Sequence, residues 1–319
     1  MKANGMTSPV KILASNETDD QVGLRLLGSI GNVEVLPYNP NELDELTVDQ
    51  YTADILLPPY RGSHRALPLL DKLPKLRMVQ LLSAGVDEWA GDVPSHVVLA
   101  SARGAHGRPI AEWVISAILA LYRQWPALVR FQDERTWAHR RVDADTLAGK
   151  RVLVIGAGTI GLAVAKRLEV FEASATLVAS RERDGVYGAS AIPSLVGHHE
   201  IVVISAPVNE GTRGLVNKDF LSAMPDSALL VNIGRGQIVD TDALTAELKT
   251  GRLRAALDVT DPEPLPADHP LWDCKNAIIS PHMSRTVPGT NALCYEVAAE
   301  QIAVFVSGGT PSNAVQVSK

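Results

Sequence analysis

An α/β protein of two doubly wound, parallel-sheet lobes is what this sequence predicts, on three observations. Short apolar runs alternate with helical stretches along the chain, the pattern of parallel sheets covered on both faces. The length, 319 residues, suffices for two separate cores. Finally, the stretch Arg151–Gly161, RVLVIGAGTIG, sets Gly156, Gly158 and Gly161 in a G-x-G-x-x-G spacing. Those glycines lie between the buried apolar run Val152–Ile155 and a helical stretch, Leu162–Leu168.

The first lobe precedes that loop. Val10–Ala14, Val33–Leu36, Asp54–Leu57, Met78–Leu82 and Val97–Ala100 read as strands, and Asp19–Ser29 and Ser63–Leu73 as helices. Met78–Leu82 runs straight into Ser83, Ala84 and Gly85, small residues at a strand's carboxyl end. Backbone N–H groups can face a ligand there, and a plain tight turn explains the same residues equally well. Pro58-Pro59-Tyr60-Arg61 ends the preceding strand at the same edge.

Ser101–Gly107 reads as a hinge. Ile110, Trp113, Val114, Ala117, Ile118 and Leu121 then mark an amphipathic helix from Pro109 to Tyr122. Trp125, Phe131 and Trp137 follow on a polar arm that ends at Gly149; they meet either a second subunit or their own chain. Together with the helix before it, the arm is the expected surface of a homodimer.

After the glycine loop come Ala175–Ala179, Ile201–Ser205, Ala228–Ile233, Ala255–Val259 and Ala277–Ser280. With Arg151–Ile155 they make six strands, the number of a complete dinucleotide-binding fold. The last helix, Thr290–Val306, carries Cys294, Ala298, Ile302 and Phe305 and is expected to pack back on the first lobe. Crossings near Ala102–Pro109 and Ser284–Gly289 then join the lobes and let them close around a substrate.

Composition narrows the classes of partner. A net charge of −6 argues against a nucleic-acid surface. Cys274 and Cys294 lie outside any metal-ligand spacing and suit a reducing compartment, so no metal is expected. The opening MKANGMTSPV lacks the apolar core of a signal peptide, and no apolar run reaches membrane-spanning length. The expectation is a soluble cytoplasmic protein with no nucleic-acid or membrane partner.

The glycine loop points to a dinucleotide. Its first glycine permits a sharp turn off the strand and its second admits a pyrophosphate close to the backbone. The third lets the helix lie close on the sheet. The helix N-terminus adds unpaired N–H groups and partial positive charge. At the same sheet edge, Arg235, Glu263 and His282 each follow one of the last three strands. An arginine fork matches paired anionic oxygens, and a histidine, with an unperturbed pKa of about 6.5, can donate or accept a proton. A carboxylate beside it orients the ring and favours its protonated form.

With these residues in place, the sequence resembles the D-2-hydroxyacid dehydrogenase family, the D-isomer-specific NAD(P) dehydrogenases. The matching pieces are LAGKRVLVIGAGTIG, APVNEGTRGLVN, LLVNIGRGQIVDTDAL, AALDVTDPEPLP and SPHMS, in family order. The resemblance covers nearly the whole chain and is densest from Leu147 to Ser284. It implies a Rossmann domain, residues 105–287, inserted into a smaller flavodoxin-like substrate domain, residues 1–104 and 288–319. It implies Arg235 as the substrate arginine, His282 as acid–base, Glu263 as its partner, and a carboxylate held on the amides of Ser83, Ala84 and Gly85. Asp258 matches the position that bonds the nicotinamide carboxamide. Gly156, Gly158, Thr159, Ile160, Gly161, Ser180, Arg181, Pro207, Thr212 and Ile233 complete the expected cofactor contacts. The chain ends soon after the last helix, so the regulatory extension of some phosphoglycerate dehydrogenases is not expected.

Cofactor choice departs from the commoner pattern. An acidic residue about 20 positions beyond the loop ordinarily bonds the ribose hydroxyls of NAD. Here Ser180 stands there, followed by Arg181, Glu182 and Arg183. A carboxylate 4 Å from a 2′-phosphate would oppose it by about 4 kcal/mol at an effective dielectric of 20. Ser180 can donate a hydrogen bond instead and Arg181 can pair with the phosphate or stack on adenine, while Arg183 assists. NADP(H) is therefore the expected cofactor, NAD the alternative if these arginines are merely solvated.

The expected reaction is reduction of a small 2-keto acid such as glyoxylate or hydroxypyruvate. An NAD-linked enzyme oxidising D-2-hydroxy acids is the nearest alternative, and a nucleotide-sensing protein like the corepressors of this fold is a more distant one. The formate dehydrogenase relatives fit less well, since they carry an amide where Glu263 stands.

Overall fold

Runs of branched apolar residues too short for helices become the buried central strands of two sheets. The computed structural model describes residues 8–315, so the opening residues 1–7, part of the stretch read for a signal peptide, lie outside it. The chain divides into two units, with breaks at His106/Gly107 and Val287/Pro288. Among the described residues no helix is long and apolar enough to cross a membrane.

The first unit takes the chain up to His106 and from Pro288 onward. It holds β1 (Val10–Ser15), α1 (Gln21–Gly28), β2 (Val33–Tyr38), β3 (Ile55–Leu57), β4 (Met78–Gln80) and β5 (Val98–Ala100). The parallel order is β2-β1-β3-β4-β5, that of flavodoxin-like sheets. A short last strand, Ala314–Val315, adds antiparallel beside β5. Ile12, Ile55 and Met78 fill one face and Leu13, Leu56 and Val79 the other, the alternation that a pleated strand imposes. The last helix, Thr290–Val306, buries Cys294, Tyr295, Ala298 and Ile302 in this unit's core. Its Tyr295 ring lies on Gly23 of α1, where a Cβ would come within 2.2 Å.

Two expectations for this unit are corrected. Ser63–Leu73 is not an α-helix: Ser63–Leu69 is 3-10, with Pro68 inside it. Proline lacks the N–H that an α-helical ladder needs. The stretch expected as one helix over Asp19–Ser29 begins with a separate 3-10 turn, Thr18–Asp20, before α1.

The second unit begins with α2 (Gly107–Tyr122) and α3 (Trp125–Asp133). Then come β6 (Arg151–Ile155), α4 (Thr159–Val170), β7 (Ser174–Ala179), β8 (Tyr187–Gly188) and α5 (Ile192–Leu195). They are followed by β9 (Ile201–Ile204), α6 (Lys218–Ala223), β10 (Leu229–Asn232), α7 (Thr241–Thr250), β11 (Arg254–Leu257) and β12 (Ala277–Ile279). The order is β8-β7-β6-β9-β10-β11-β12, all parallel. The sheet has seven strands, not the six expected. The extra one, β8, is two residues long, below the reach of any periodicity. The topological switch falls at β6, between β7 and β9, so the glycine loop leaves the sheet where ligands bind in open α/β folds.

Both faces of this sheet are buried. Val152, Val154, Val203 and Val231 pack beneath α2 and α4, and Leu153, Ile155, Val202 and Leu230 fill the opposite core. At the amino edge, Glu200 accepts the Arg151 N–H at 2.8 Å and pairs with its guanidinium, tying β6 to β9. On the arm, α3 falls where no element was expected. Trp125 and Trp137 stand 56% and 92% exposed in this chain.

The hydrogen bond from Arg151 holds the Glu200 carboxyl at about 2, below its ordinary 4.5. A depressed carboxyl stabilises the fold above its unfolded pKa and loses that contribution as pH falls through the folded value. Glu200→Gln is expected to lower the melting temperature at pH 7, with the two proteins converging between about pH 4.5 and pH 2 in thermal scans.

Candidate active site

The second unit gathers its chemistry at the carboxyl ends of β6, β7, β9, β10, β11 and β12. Gly156 leaves β6 at φ +114, and a Cβ there would lie 2.6 Å from the Ala206 nitrogen, so the turns after β6 and β9 pass backbone to backbone. A Cβ on Gly161 would lie 2.0 Å from the Gly156 carbonyl. The third glycine thus closes α4 onto the loop itself, a tighter approach than the helix-to-sheet contact expected of it. Gly158 differs: nothing lies within 4 Å of where its Cβ would stand. It caps α4 with no side chain bonded to the first turn, and Thr159 and Ile160 follow. That open cradle at a helix N-terminus fits a dinucleotide pyrophosphate.

At the end of β7, Ser180 and Arg181 are exposed. Arg183 pairs with Val186 across a tight turn, and its Nη2 donates to the Ala157 carbonyl of the glycine loop at 2.8 Å. Of the two arginines, Arg183 is the one tied to the loop. After β9, the Thr212 hydroxyl donates to the Pro207 carbonyl at 2.6 Å and accepts the Asn209 N–H at 2.8 Å, shaping that turn. Ile233 is buried just past β10.

Three segments, one after each of β10, β11 and β12, carry Arg235, Glu263 and His282. His282 Nδ1 donates to Glu263 Oε1 at 2.7 Å, leaving Nε2 as the atom that can face a substrate. The His282 backbone sits at φ +50, a left-handed conformation that costs a non-glycine residue about 1–3 kcal/mol and often marks functional sites. The hydrogen bond from His282, aided by the charges of His282 and Arg235, holds the Glu263 carboxyl below its ordinary range despite partial desolvation. The Arg235 turn abuts the Glu263 segment through Gly236, where a Cβ would lie 1.9 Å from the Thr260 carbonyl. Arg235, Glu263 and His282, expected as a group from sequence, therefore share one edge of this unit.

Asp258 and Asn232 brace those turns. Asp258, 1% exposed, accepts the Ser280 hydroxyl at 2.6 Å and the N–H groups of Met283 and Ser284 at 2.8 and 3.0 Å. Asn232, also 1% exposed, accepts the Gly234 N–H and donates to the Arg235 carbonyl, both at 3.1 Å. Sequence reasoning missed Asn232 and assigned Asp258 to the cofactor alone. The available signal was a single polar residue closing an apolar run, in LLVN and AALD. In the first unit, Ser83 Oγ donates to the Gly85 carbonyl at 2.6 Å, holding Ser83, Ala84 and Gly85 as a short loop beyond β4. Among the described residues, no group of three or more His, Cys, Asp or Glu side chains is placed to hold a metal ion.

Residues 115–284 match the model of the D-isomer specific 2-hydroxyacid dehydrogenase NAD binding domain. A glyoxylate reductase of Thermofilum pendens is 30% identical over 260 residues, 76% of each chain. A solved D-isomer specific 2-hydroxyacid dehydrogenase family protein from Aeromonas salmonicida superposes with a TM-score of 0.83 at 28% identity, over 98% of this chain and all of the other. A D-isomer specific 2-hydroxyacid dehydrogenase from Xanthobacter autotrophicus Py2, solved with NADPH and MES, gives 0.80 at 27% identity over 98% and 99%.

The close approach at Gly236 yields a direct test. Gly236→Ala must push the Arg235 turn off Thr260, an overpacking that costs about 1–3 kcal/mol. Calorimetry should show a lowered melting temperature; an unchanged one would mean that the two turns can separate freely.

Proposed function

The chain belongs to the D-isomer specific 2-hydroxyacid dehydrogenase family, and from that premise we propose that it reduces small 2-keto acids of the glyoxylate and hydroxypyruvate type with NADPH. The observation that carries this reading is the 2.7 Å bond between His282 and Glu263 on the edge that also bears Arg235 and the glycine loop. When bound, the nicotinamide cofactor supplies hydride to the keto carbon. His282 holds a proton at Nε2 for the carbonyl oxygen, and Glu263, ionised into the acid range, stabilises the imidazolium through Nδ1. Arg235 offers its guanidinium to the keto-acid oxygens. In the first unit, the amides of Ser83, Ala84 and Gly85 take the substrate carboxylate, and in the second Asp258 Oδ2, which accepts only the Ser284 N–H, keeps a lone pair for the carboxamide.

NADPH preference is supported by Ser180 where an acidic residue would repel a 2′-phosphate, and by Arg183 anchored on Ala157 beside the glycine loop. The Xanthobacter autotrophicus relative holds NADPH in its solved structure, in line with that reading. The protein is also proposed to act as a homodimer through its arm. There Leu128, Phe131, Arg135 and Trp137 line a groove of about 570 Å³, and large apolar side chains stand in solvent. Twice the chain mass by light scattering at micromolar concentration is expected; a monomer would remove the dimer and leave the chemistry untouched.

His282→Ala is expected to lower kcat for glyoxylate reduction by about 10²–10⁴-fold with NADPH binding retained. Glu263→Gln should move the fall of the reduction rate to lower pH, because the imidazolium loses its carboxylate. Near-normal turnover by a folded His282→Ala protein would overturn the acid–base assignment. For the cofactor, kcat/KM should favour NADPH over NADH, and Ser180→Asp combined with Arg181→Ala and Arg183→Ala should move the ratio towards NADH. A wild-type preference for NADH would refute it.

A further inference from the structure

We propose that Asn232 and Asp258 are the positioning residues of this site, Asn232 setting Arg235 and Asp258 setting His282. The two stand side by side, one closing β10 and the other directly after β11, with the Asp258 N–H donating to the Asn232 carbonyl at 3.0 Å. Each is withdrawn from water, and each directs its side chain into the turn that bears a reactive residue.

Asn232 uses both ends of its amide. Oδ1 accepts from Gly234 and Nδ2 donates to the Arg235 carbonyl, so one planar group spans the turn and holds its register. Asp258 does the equivalent with a charge. Its Oδ1 takes the Ser280 hydroxyl and the Met283 and Ser284 N–H groups, and Oδ2 also lies 3.1 Å from the Ser284 nitrogen. Its own carbonyl accepts the His282 N–H at 2.8 Å. The donors on both sides of His282 thus converge on one residue, across a backbone position at φ +50 that a free turn would abandon. A buried carboxylate requires such donors, and charge-assisted bonds are the strong ones. Without them the turn relaxes and Nδ1 leaves Glu263. The inference rests on the proposed keto-acid reduction for its kinetic readouts and on geometry alone for its structural one.

The test uses full-length protein carrying Asp258→Asn, Ser280→Ala or Asn232→Ala, with glyoxylate and NADPH as probes. Hydrogen exchange of the segment 280–286, measured without cofactor, should accelerate in Asp258→Asn and, less, in Ser280→Ala. Asp258→Asn should lower kcat by about 10²-fold through misplacement of the imidazole, and its pH–rate profile should move in the direction of Glu263→Gln. The Asp258→Asn, Glu263→Gln double variant should add little to either single one, since both act on the same bond. In Ser280→Ala and Asn232→Ala, NADPH affinity should stay that of the wild type. Asn232→Ala should raise the glyoxylate KM about tenfold, the worth of 1.4 kcal/mol, with the pH profile unmoved. Unchanged exchange at 280–286 in Asp258→Asn, with its loss confined to NADPH binding, would overturn the proposal and leave Asp258 a cofactor ligand alone. Proportional loss of activity, with KM and pH profile both unmoved, would reduce the pair to a general role in stability. If the wild type turned over no 2-keto acid, the proposed function would fall while the exchange measurement still judged the positioning.

Discussion

A carboxylate taken out of water has to be surrounded by donors, and at Asp258 that requirement shapes the carboxyl edge of the second unit. The strand delivers Asp258 into the interior, where its side chain cannot reach solvent. The donors it finds are the backbone and hydroxyl groups of the turn after the next strand. Satisfying them holds His282 in a conformation that its backbone would not choose alone, and from there Nδ1 meets Glu263. One desolvated charge therefore links the packing of the sheet to the orientation of the His282 imidazole.

Close backbone approach is the second constraint on the same edge. At Gly156 and Gly236 a methyl group would lie 2.6 and 1.9 Å from main-chain atoms of a neighbouring turn, and at Gly161 it would lie 2.0 Å from the Gly156 carbonyl of its own loop. The three positions draw the glycine loop, the β9 turn and the Arg235 and Glu263 segments together without side chains between them. Gly158 has the opposite surroundings, open space, and there the absent side chain leaves room for a ligand instead of for the protein. The spacing of the motif thus combines two kinds of glycine, which only the neighbours distinguish.

Charge is a third feature of this frame. The chain is acidic overall, with a net charge of −6, yet the turn after β7 carries two arginines beside a serine. Arg183 is drawn back to the Ala157 carbonyl by the tight pairing with Val186, while Arg181 extends outward. A guanidinium fixed beside the phosphate-binding loop loses less entropy on meeting an anion than one free in solvent. Residue type alone placed Arg181 ahead of Arg183; the turn geometry adds that Arg183 is tied to the loop while Arg181 is exposed.

The sequence by itself determined the alternation of strand and helix, the paired lobes, the glycine loop after β6 and the order of Arg235, Glu263 and His282 along one sheet edge. These were legible because apolar periodicity and turn chemistry are local, and because parallel strands put successive loops on the same side. Tertiary structure decided what depends on partners distant in the chain. It added β8, too short to show a period, and made a 3-10 turn of Ser63–Leu69 around Pro68. It also turned Asn232 and Asp258, each a single polar letter ending an apolar run, into the braces of two turns. Asp258 meets Ser284 across 26 positions and Arg183 meets Ala157 across the same number. No local pattern encodes such contacts, because they exist only once the sheet has brought the ends of its strands together.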